Sequence, residues 1–515
     1  HKNGFFDPSS NPAPKETEDK GFYVIPLWPV LEYLEKTAPE LEDNREYANK
    51  FLAVIRSVTE SSIDSAISNW RTWWYFVKIL EHIPTDLITK KDIDSCAYWL
   101  KDPFDRMIIG DELGNKLLPR LLSKQTDHSC LLAKTLVEAL TQLGWIEKPY
   151  GIKNELEPVL LIEEWHANKI FRNQSKKVGG ILEESGLAIF KTRIEEILGK
   201  HERDKYSAIW RPAIEDHEQN KDRHDAINIL ITAFRDALSG YIQRKAYEAA
   251  EVSRYISELL GHKFKVFQRI AIHSIGAYFD IFRALASRLI EPFYFTSQYR
   301  HEMFRLLKLN FGKFDERDKN KVLQVIDALT IEAAESEDVK AKRIAYLKLI
   351  WLTAIKDHRY SLSDKMYGEY YAIVGHEAEH PDFSSYMEVG WVGETSPYKV
   401  DELLSRNIDD LIDVLKSFKE EGGWKTPTIR GLAKEFKQTI KDNPDYFKDG
   451  LGKFLTVDLP YVYDMIEAYK ELWTEKKYDN WAELLEFCSN LTAIEGFWSK
   501  ERDKERESFV ANRSW

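Results

Sequence analysis

The stretch INILITAFRDALSGYI, residues 227–242, sets Ile227, Leu230, Ile231, Phe234, Leu238, Tyr241 and Ile242 at steps of three and four. Side chains at that spacing share one face of a helix, so the segment reads as a helix with a single apolar stripe. The same rhythm returns more than two hundred residues later in Val462, Met465, Ile466, Tyr469, Leu472 and Trp473. Between about Val30 and Trp498 little else competes with it. A chain built of such helices must bury the stripes against one another, either in bundles or in series.

Working outward, residues 1–26 carry Pro8, Pro12, Pro14 and Pro26 among polar residues and read as an extended N-terminal arm. Helices are expected from Leu27–Lys36 onward, through Tyr47–Val58, the Trp-rich run Trp70, Trp73, Trp74, Val77 and Leu80, and on to Leu131–Leu143. Residues 145–182, with Pro149, Gly151, Pro158 and the Gly179-Gly180 pair, read as a loop-rich insertion. Long helices are expected again over 181–198 and 225–260, and small-and-aliphatic spacing marks 267–289. An irregular stretch over about 376–399 is the best boundary, and a second helical block fills 400–498 before a charged tail. The expected divisions are therefore 1–26, 27–145, 146–380 and 381–515. The fold class that follows is all-α, an elongated helical-repeat solenoid of the HEAT/ARM/TPR kind with degenerate repeats.

At 515 residues the chain exceeds the ~250–300 at which one core stops growing. The net charge of −12 opposes a broad phosphate-binding surface, so no nucleic-acid partner is expected. Cys96, Cys130 and Cys488 are too few and too scattered for a disulfide framework and suit a reducing cytoplasm. No apolar run approaches the ~20 residues that span a bilayer, so no membrane partner is expected. The chain opens on His1 and is expected to be a piece of a longer protein.

Two strings carry possible chemistry. His376-Glu377-Ala378-Glu379-His380 matches the bare zinc-peptidase pattern, in which a helix brings both imidazoles to one face and the Glu acts as base. Against it stand Pro381, Gly375 and the charge of Glu379; the third ligand would be Glu388 or Glu394. Arg211 and His217, in RPAIEDH, have the spacing of small helical ribonucleases. Pro212, and the acidic Glu215 and Asp216, favour an ordinary helix start instead. There is no P-loop, no G-x-S-x-G elbow and no G-x-G-x-x-G. Trp391 and Trp424, beside glycines, are the expected partner-binding residues, because aromatics on loops make good anchors.

Several strings resemble a group of large bacterial helical-repeat proteins: YRHEMFRLLKLNFGKFDERDKNKVLQVI (299–326), GETSPYKVDELLSRNIDDLIDVLKSF (393–418) and WKTPTIRGLAKEFKQTIKDNPDYF (424–447). The opening GFFDPSSNPAP and IPLWPVLEYLEK are similar as well. In that group such segments follow an effector or STAND-type NTPase module in antiviral defence proteins. The resemblance implies a sensor or scaffold that binds a phage protein or an effector module and performs no chemistry. The expectation is accordingly a non-enzymatic protein-binding scaffold with no cofactor and no metal. The zinc peptidase and the helical ribonuclease are the alternatives.

Overall fold

The computed structural model describes residues 4–105, 107–147, 156–200, 204–220, 225–331, 336–384, 386, 395–420, 426–478, 481–494 and 497–498. Among these the chain is overwhelmingly helical, with twenty-three α-helices and two small two-stranded sheets. Chain contacts divide it into two units, residues 1–387 and 388–515, each with its own apolar core. The division falls inside the irregular stretch flagged by the sequence. The expected seam at 145/146 falls within the strand Leu143–Glu147.

In the first unit the N-terminal arm is tied down. Its strands β1 (Lys15–Glu16) and β2 (Tyr23–Val24) pair antiparallel, and Asn69 Nδ2 donates to the carbonyls of Pro12 and Pro26 at 2.8 and 2.9 Å. The same Asn69 caps the helix Trp70–Leu80 through its side-chain oxygen, so one residue fixes both arm and helix. That helix buries Trp73, which stacks on Trp99 from the helix Lys90–Trp99 with ring centroids 5.8 Å apart. Truncating a fully buried indole of this kind typically costs about 3–5 kcal/mol.

Residues 145–182 differ from expectation. Strands β3 (Leu143–Glu147) and β4 (Leu156–Leu160) form a hairpin, and a helical stretch of 37 residues, Glu164–Lys200, kinked at Glu183, then runs through the two glycines. Gly179 and Gly180 are contact residues rather than breakers. A Cβ on Gly179 would lie 1.8 Å from the Ala237 carbonyl oxygen, and one on Gly240 would lie 1.9 Å from that of Lys176. The helices Glu164–Lys200 and Ala226–Arg244 thus touch backbone to backbone, which only residues without side chains permit. Their helical φ/ψ needs no glycine; the close approach does. Glu183, at φ 52°, breaks the long helix one turn later.

Two further helices complete the neighbourhood of the site, Lys265–Ala277 and Arg300–Asn310. In the second unit, Ile429–Asp442 packs on Leu459–Thr474 around Leu432, Phe436, Met465 and Leu472. The helix Trp481–Thr492 adds Leu484 and Phe487 to that core. Cys96, Cys130 and Cys488 are all free thiols, Cys96 fully buried. No helix among the described residues is long and apolar enough to cross a membrane.

Candidate functional site

Pro212 does not start a helix. A single turn, Ser207–Trp210, ends at Arg211, and the chain runs irregularly to a 3-10 turn at Glu218–Asn220. The next helix begins only at Ala226, capped by Asp225. A buried irregular segment must find partners for its backbone groups, and here three arginines and a glutamate supply them. Arg269 donates to the carbonyls of Arg211 and Pro212 at 2.8 and 3.0 Å. Arg211 turns its own guanidinium onto Ala213 O at 2.9 Å and Ile214 O at 3.2 Å. Arg235 adds a bond to Ile214 O at 3.0 Å, and the Ile214 N–H donates to Glu302 Oε1 at 3.1 Å. Guanidinium groups thus replace the amides of a helical ladder.

The charges in this knot are paired unequally. Arg269 and Glu302 form a two-point ion pair at 2.9 and 2.7 Å, with side chains 0% and 1% exposed. Arg235 grips Asp216 with both terminal nitrogens, and Arg172 reaches the same carboxylate from the long helix. Arg211 is different. Its remaining contacts are Asn228 O and Oδ1, at 3.5 and 3.3 Å, and Thr232 Oγ1 at 3.1 Å, so each acceptor it has among the described residues is uncharged. Burial, followed by the charges of Arg235 and Arg269, pushes its pKa down to about 9.

A second cluster flanks the loop. His301 lies between Glu215 and Asp382, each 3.3 Å from a different ring nitrogen, while Arg305 reaches Glu215 at 3.1 Å. Burial alone would lower the His301 pKa; the carboxylates of Asp382 and Glu215 on either side of the ring outweigh it and raise it to about 9. Burial likewise opposes ionisation of Glu215, but the His301 hydrogen bond and Arg305 bring its pKa down to about 2. His217 rests against Phe383 at 4.8 Å and His301 at 5.8 Å between ring centroids. Tyr386 donates to Glu218. The segment 380–386 is thereby fastened over the loop.

Between the long helix, the loop and the helix Ala226–Arg244 lies a cavity of about 400 Å³. Arg172, Arg211, His217, Asn220, Asn228 and Thr232 are in its wall, so Arg211 and His217 do face one space. The Oδ1 atom of Asn220 is buried with no hydrogen-bond partner among the described residues, while its Nδ2 holds Ala213 O and Glu215 O.

The zinc-peptidase string takes another form than its pattern needs. The helix Ser361–Val374 ends in Gly375 at φ +85°, so His376 and His380 lie beyond it, and His380 itself has φ +47°. Without a helix the i, i+4 spacing no longer puts the two imidazoles on one face. Pro381 was expected to stop the helix; Gly375 stops it six residues earlier, as a left-handed glycine after a helix commonly does. Glu377, the would-be base, accepts from Lys356 at 3.1 Å and Tyr367 at 2.9 Å. Among the described residues no three His, Cys, Asp or Glu side chains are grouped to hold a metal ion. Trp391 and Trp424, and with them Glu388 and Glu394, lie outside the described residues.

Sequence reasoning missed Arg235, Arg269, His301 and Glu302. A signal was present: Arg269 interrupts the apolar run Val266, Phe267, Ile270, and Arg235 follows Phe234 on a buried helix. A charge inside such a stripe requires a buried partner. No family model matches the chain, and comparison with curated proteins and with solved structures finds no match.

Proposed function

We propose that this chain is a non-enzymatic helical-repeat scaffold that binds another protein, as the sensing part of a bacterial antiviral-defence system in the cytoplasm. The defence setting rests on the resemblance of the strings at 299–326, 393–418 and 424–447. The observation that carries the binding role is an apolar surface on the second unit. Trp473 is 56% exposed, stands edge-on to Trp481 at 5.3 Å, and is accompanied by Leu485, 63% exposed and one turn beyond Trp481. Exposed indoles are frequent interface anchors, because they bury much area at little entropy cost. Trp391 and Trp424 belong to the same stretch of sequence and are the further anchors in this reading.

The test is a direct binding measurement against candidate phage and effector proteins. A specific partner whose affinity falls by about 30-fold in Trp473→Ala, the effect of a 2 kcal/mol anchor, supports the reading provided the melting temperature holds. Partners bound equally by wild type and by variants at Trp473, Trp391 and Trp424 would refute it.

A second reading, the helical ribonuclease, has one observation in its favour: Arg211 and His217 share the wall of a cavity. It requires Arg211 to leave the loop carbonyls it now holds. Incubation with labelled RNA decides between the two. Cleavage that disappears in His217→Ala would establish the ribonuclease and overturn the non-enzymatic scaffold.

A further inference from the structure

The cavity beside Arg211 is unlike an ordinary packing defect. Empty cavities in proteins are lined by apolar side chains, whereas among the described residues this one is lined by three amides, one hydroxyl, two guanidinium groups, two carboxylates and an imidazole, with Ile229 the one apolar residue. Its volume falls within the range of small-molecule sites. Two groups in the wall are chemically unfinished. Arg211, 3% exposed, makes no direct ion pair among the described residues, Asp216 and Asp225 acting on its charge only from a distance, and its Nη1 is held by the two longest of its contacts, 3.5 and 3.3 Å to Asn228. Asn220 Oδ1 is an acceptor without a donor among the described residues. An anion at Nη1 would replace two weak neutral contacts with a charge-assisted one, and a hydroxyl or amino group nearby would satisfy Asn220.

We propose that this cavity binds a small phosphate monoester whose body carries hydrogen-bond donors. The phosphate sits between Arg211 and Arg172, which both line the cavity. A dianion suits two guanidinium groups better than a carboxylate does. Arg172 holds Asp216 at 3.2 and 3.3 Å, and Arg235, which grips the same carboxylate, is itself shared with Asp236 at 2.7 Å; Arg172 therefore meets the phosphate while still bound to Asp216. Of the two acids in the wall, Asp216 is shared by two arginines, whereas Glu218 accepts from the neutral Tyr386 hydroxyl and keeps its charge, so it suits a donor on the body of the ligand rather than the phosphate. Asn168 on the long helix forms the rim. Asn220 and Thr232 face the body of the ligand, whose source is a nucleotide or a sugar phosphate.

The experiment is isothermal titration calorimetry on the full chain at fixed ionic strength, with inorganic phosphate, AMP, ribose 5-phosphate and malate as probes. AMP or ribose 5-phosphate binds with a Kd below about 1 mM, and malate binds more weakly. Arg211→Met abolishes binding, but that variant also strips donors from the loop and can unfold it. Asn168→Ala, measured as the control, loses the hydrogen bond that Asn168 Oδ1 accepts from Arg172 Nε at 3.3 Å; Asn168→Trp loses that bond and also fills the rim. The latter weakens binding at least tenfold beyond the control while the melting temperature stays put. No saturable binding of any phosphate, binding unchanged in Asn168→Trp, or malate binding as tightly as the phosphates would each overturn the assignment. Which of AMP and ribose 5-phosphate binds more tightly identifies the source.

Discussion

Changing Glu302 to glutamine keeps the shape of the side chain and removes its charge, which makes it the sharpest perturbation of the arginine knot. Glu302 Oε1 accepts from Arg269 Nη2 and from the Ile214 N–H, and Oε2 accepts from Arg269 Nε. A glutamine oxygen keeps the first two; its amide then faces Arg269 Nε, donor against donor. Arg269 is left at 0% exposure without a counter-charge. Removing one member of a buried pair costs about 3–5 kcal/mol, most of it the desolvation of the orphaned ion. Against a typical total of about 5–15 kcal/mol, Glu302→Gln should fold but marginally. Urea unfolding of the full chain at pH 7 should show the transition of the first unit moved to lower denaturant with an unchanged slope, and that of residues 388–515 where it was. The double variant Arg269→Met, Glu302→Met should recover part of the loss, since it leaves no charge buried. It still orphans the Arg211 and Pro212 carbonyls, at about 1–3 kcal/mol each. A loss below about 1 kcal/mol for Glu302→Gln would refute the reasoning, because the pair would then contribute no more than a surface salt bridge.

Stability of the first unit should be highest near neutral pH. His301, raised to about 9 in the folded protein against 6.5 for the free residue, contributes stability fully present below pH 6.5 and lost as pH rises through 9. His273, brought down to about 4 by burial and then by Arg235, contributes in the opposite direction, its stability lost as pH falls from 6.5 through 4. In His301→Gln the alkaline limb of a melting-temperature profile should flatten while the acid limb persists. Glu81 is raised to about 7 by burial and by Glu112, so its stabilising form is the neutral acid and stability falls as pH rises from 4.5 through 7. Glu81→Gln should therefore gain roughly 1–2 kcal/mol at pH 8, allowing for solvent screening, and little at pH 4. Gly179→Ala must force the helices Glu164–Lys200 and Ala226–Arg244 apart, because its Cβ would sit 1.8 Å from a carbonyl oxygen. A loss of about 1–3 kcal/mol or more is expected by thermal melting, whereas Gly199→Ala, which meets nothing, should gain a few tenths.

The helices were legible because their apolar stripes are local signals; of the stripe in residues 227–242 all but Ile227 is buried, although that helix also buries Asn228, Thr232 and Arg235 outside the stripe. Where a feature depends on residues far apart in sequence, the reading failed in physically specific ways. Gly179 and Gly180 look like breakers until the backbones of Ala237 and Gly240, about sixty residues on, are seen to lie against them. Pro212 looks like a helix start until the carbonyls around it are seen to be taken by Arg269 and Arg235, 57 and 21 residues away. Arg211 and His217 were singled out by spacing, and they do line one cavity. What their spacing could not convey is that the Arg211 guanidinium is bound to its own loop. The short β3–β4 hairpin escaped notice because five-residue strands leave too little alternation to compete with helical periodicity.

The central physical claim is that residues 211–220 are an irregular segment held as firmly as a helix by buried guanidinium groups. Amide hydrogen exchange on the full chain tests it directly, since exchange of a backbone N–H reports the free energy of opening it. The N–H groups of Ile214, bound to Glu302, and Asn220, bound to the His217 carbonyl, should exchange as slowly as those in the helix Ala226–Arg244. In Glu302→Gln they should speed up together while the helix Ile429–Asp442 does not change. Exchange of the wild-type loop at the rate of an exposed peptide, or loop exchange unaffected by Glu302→Gln, would contradict it.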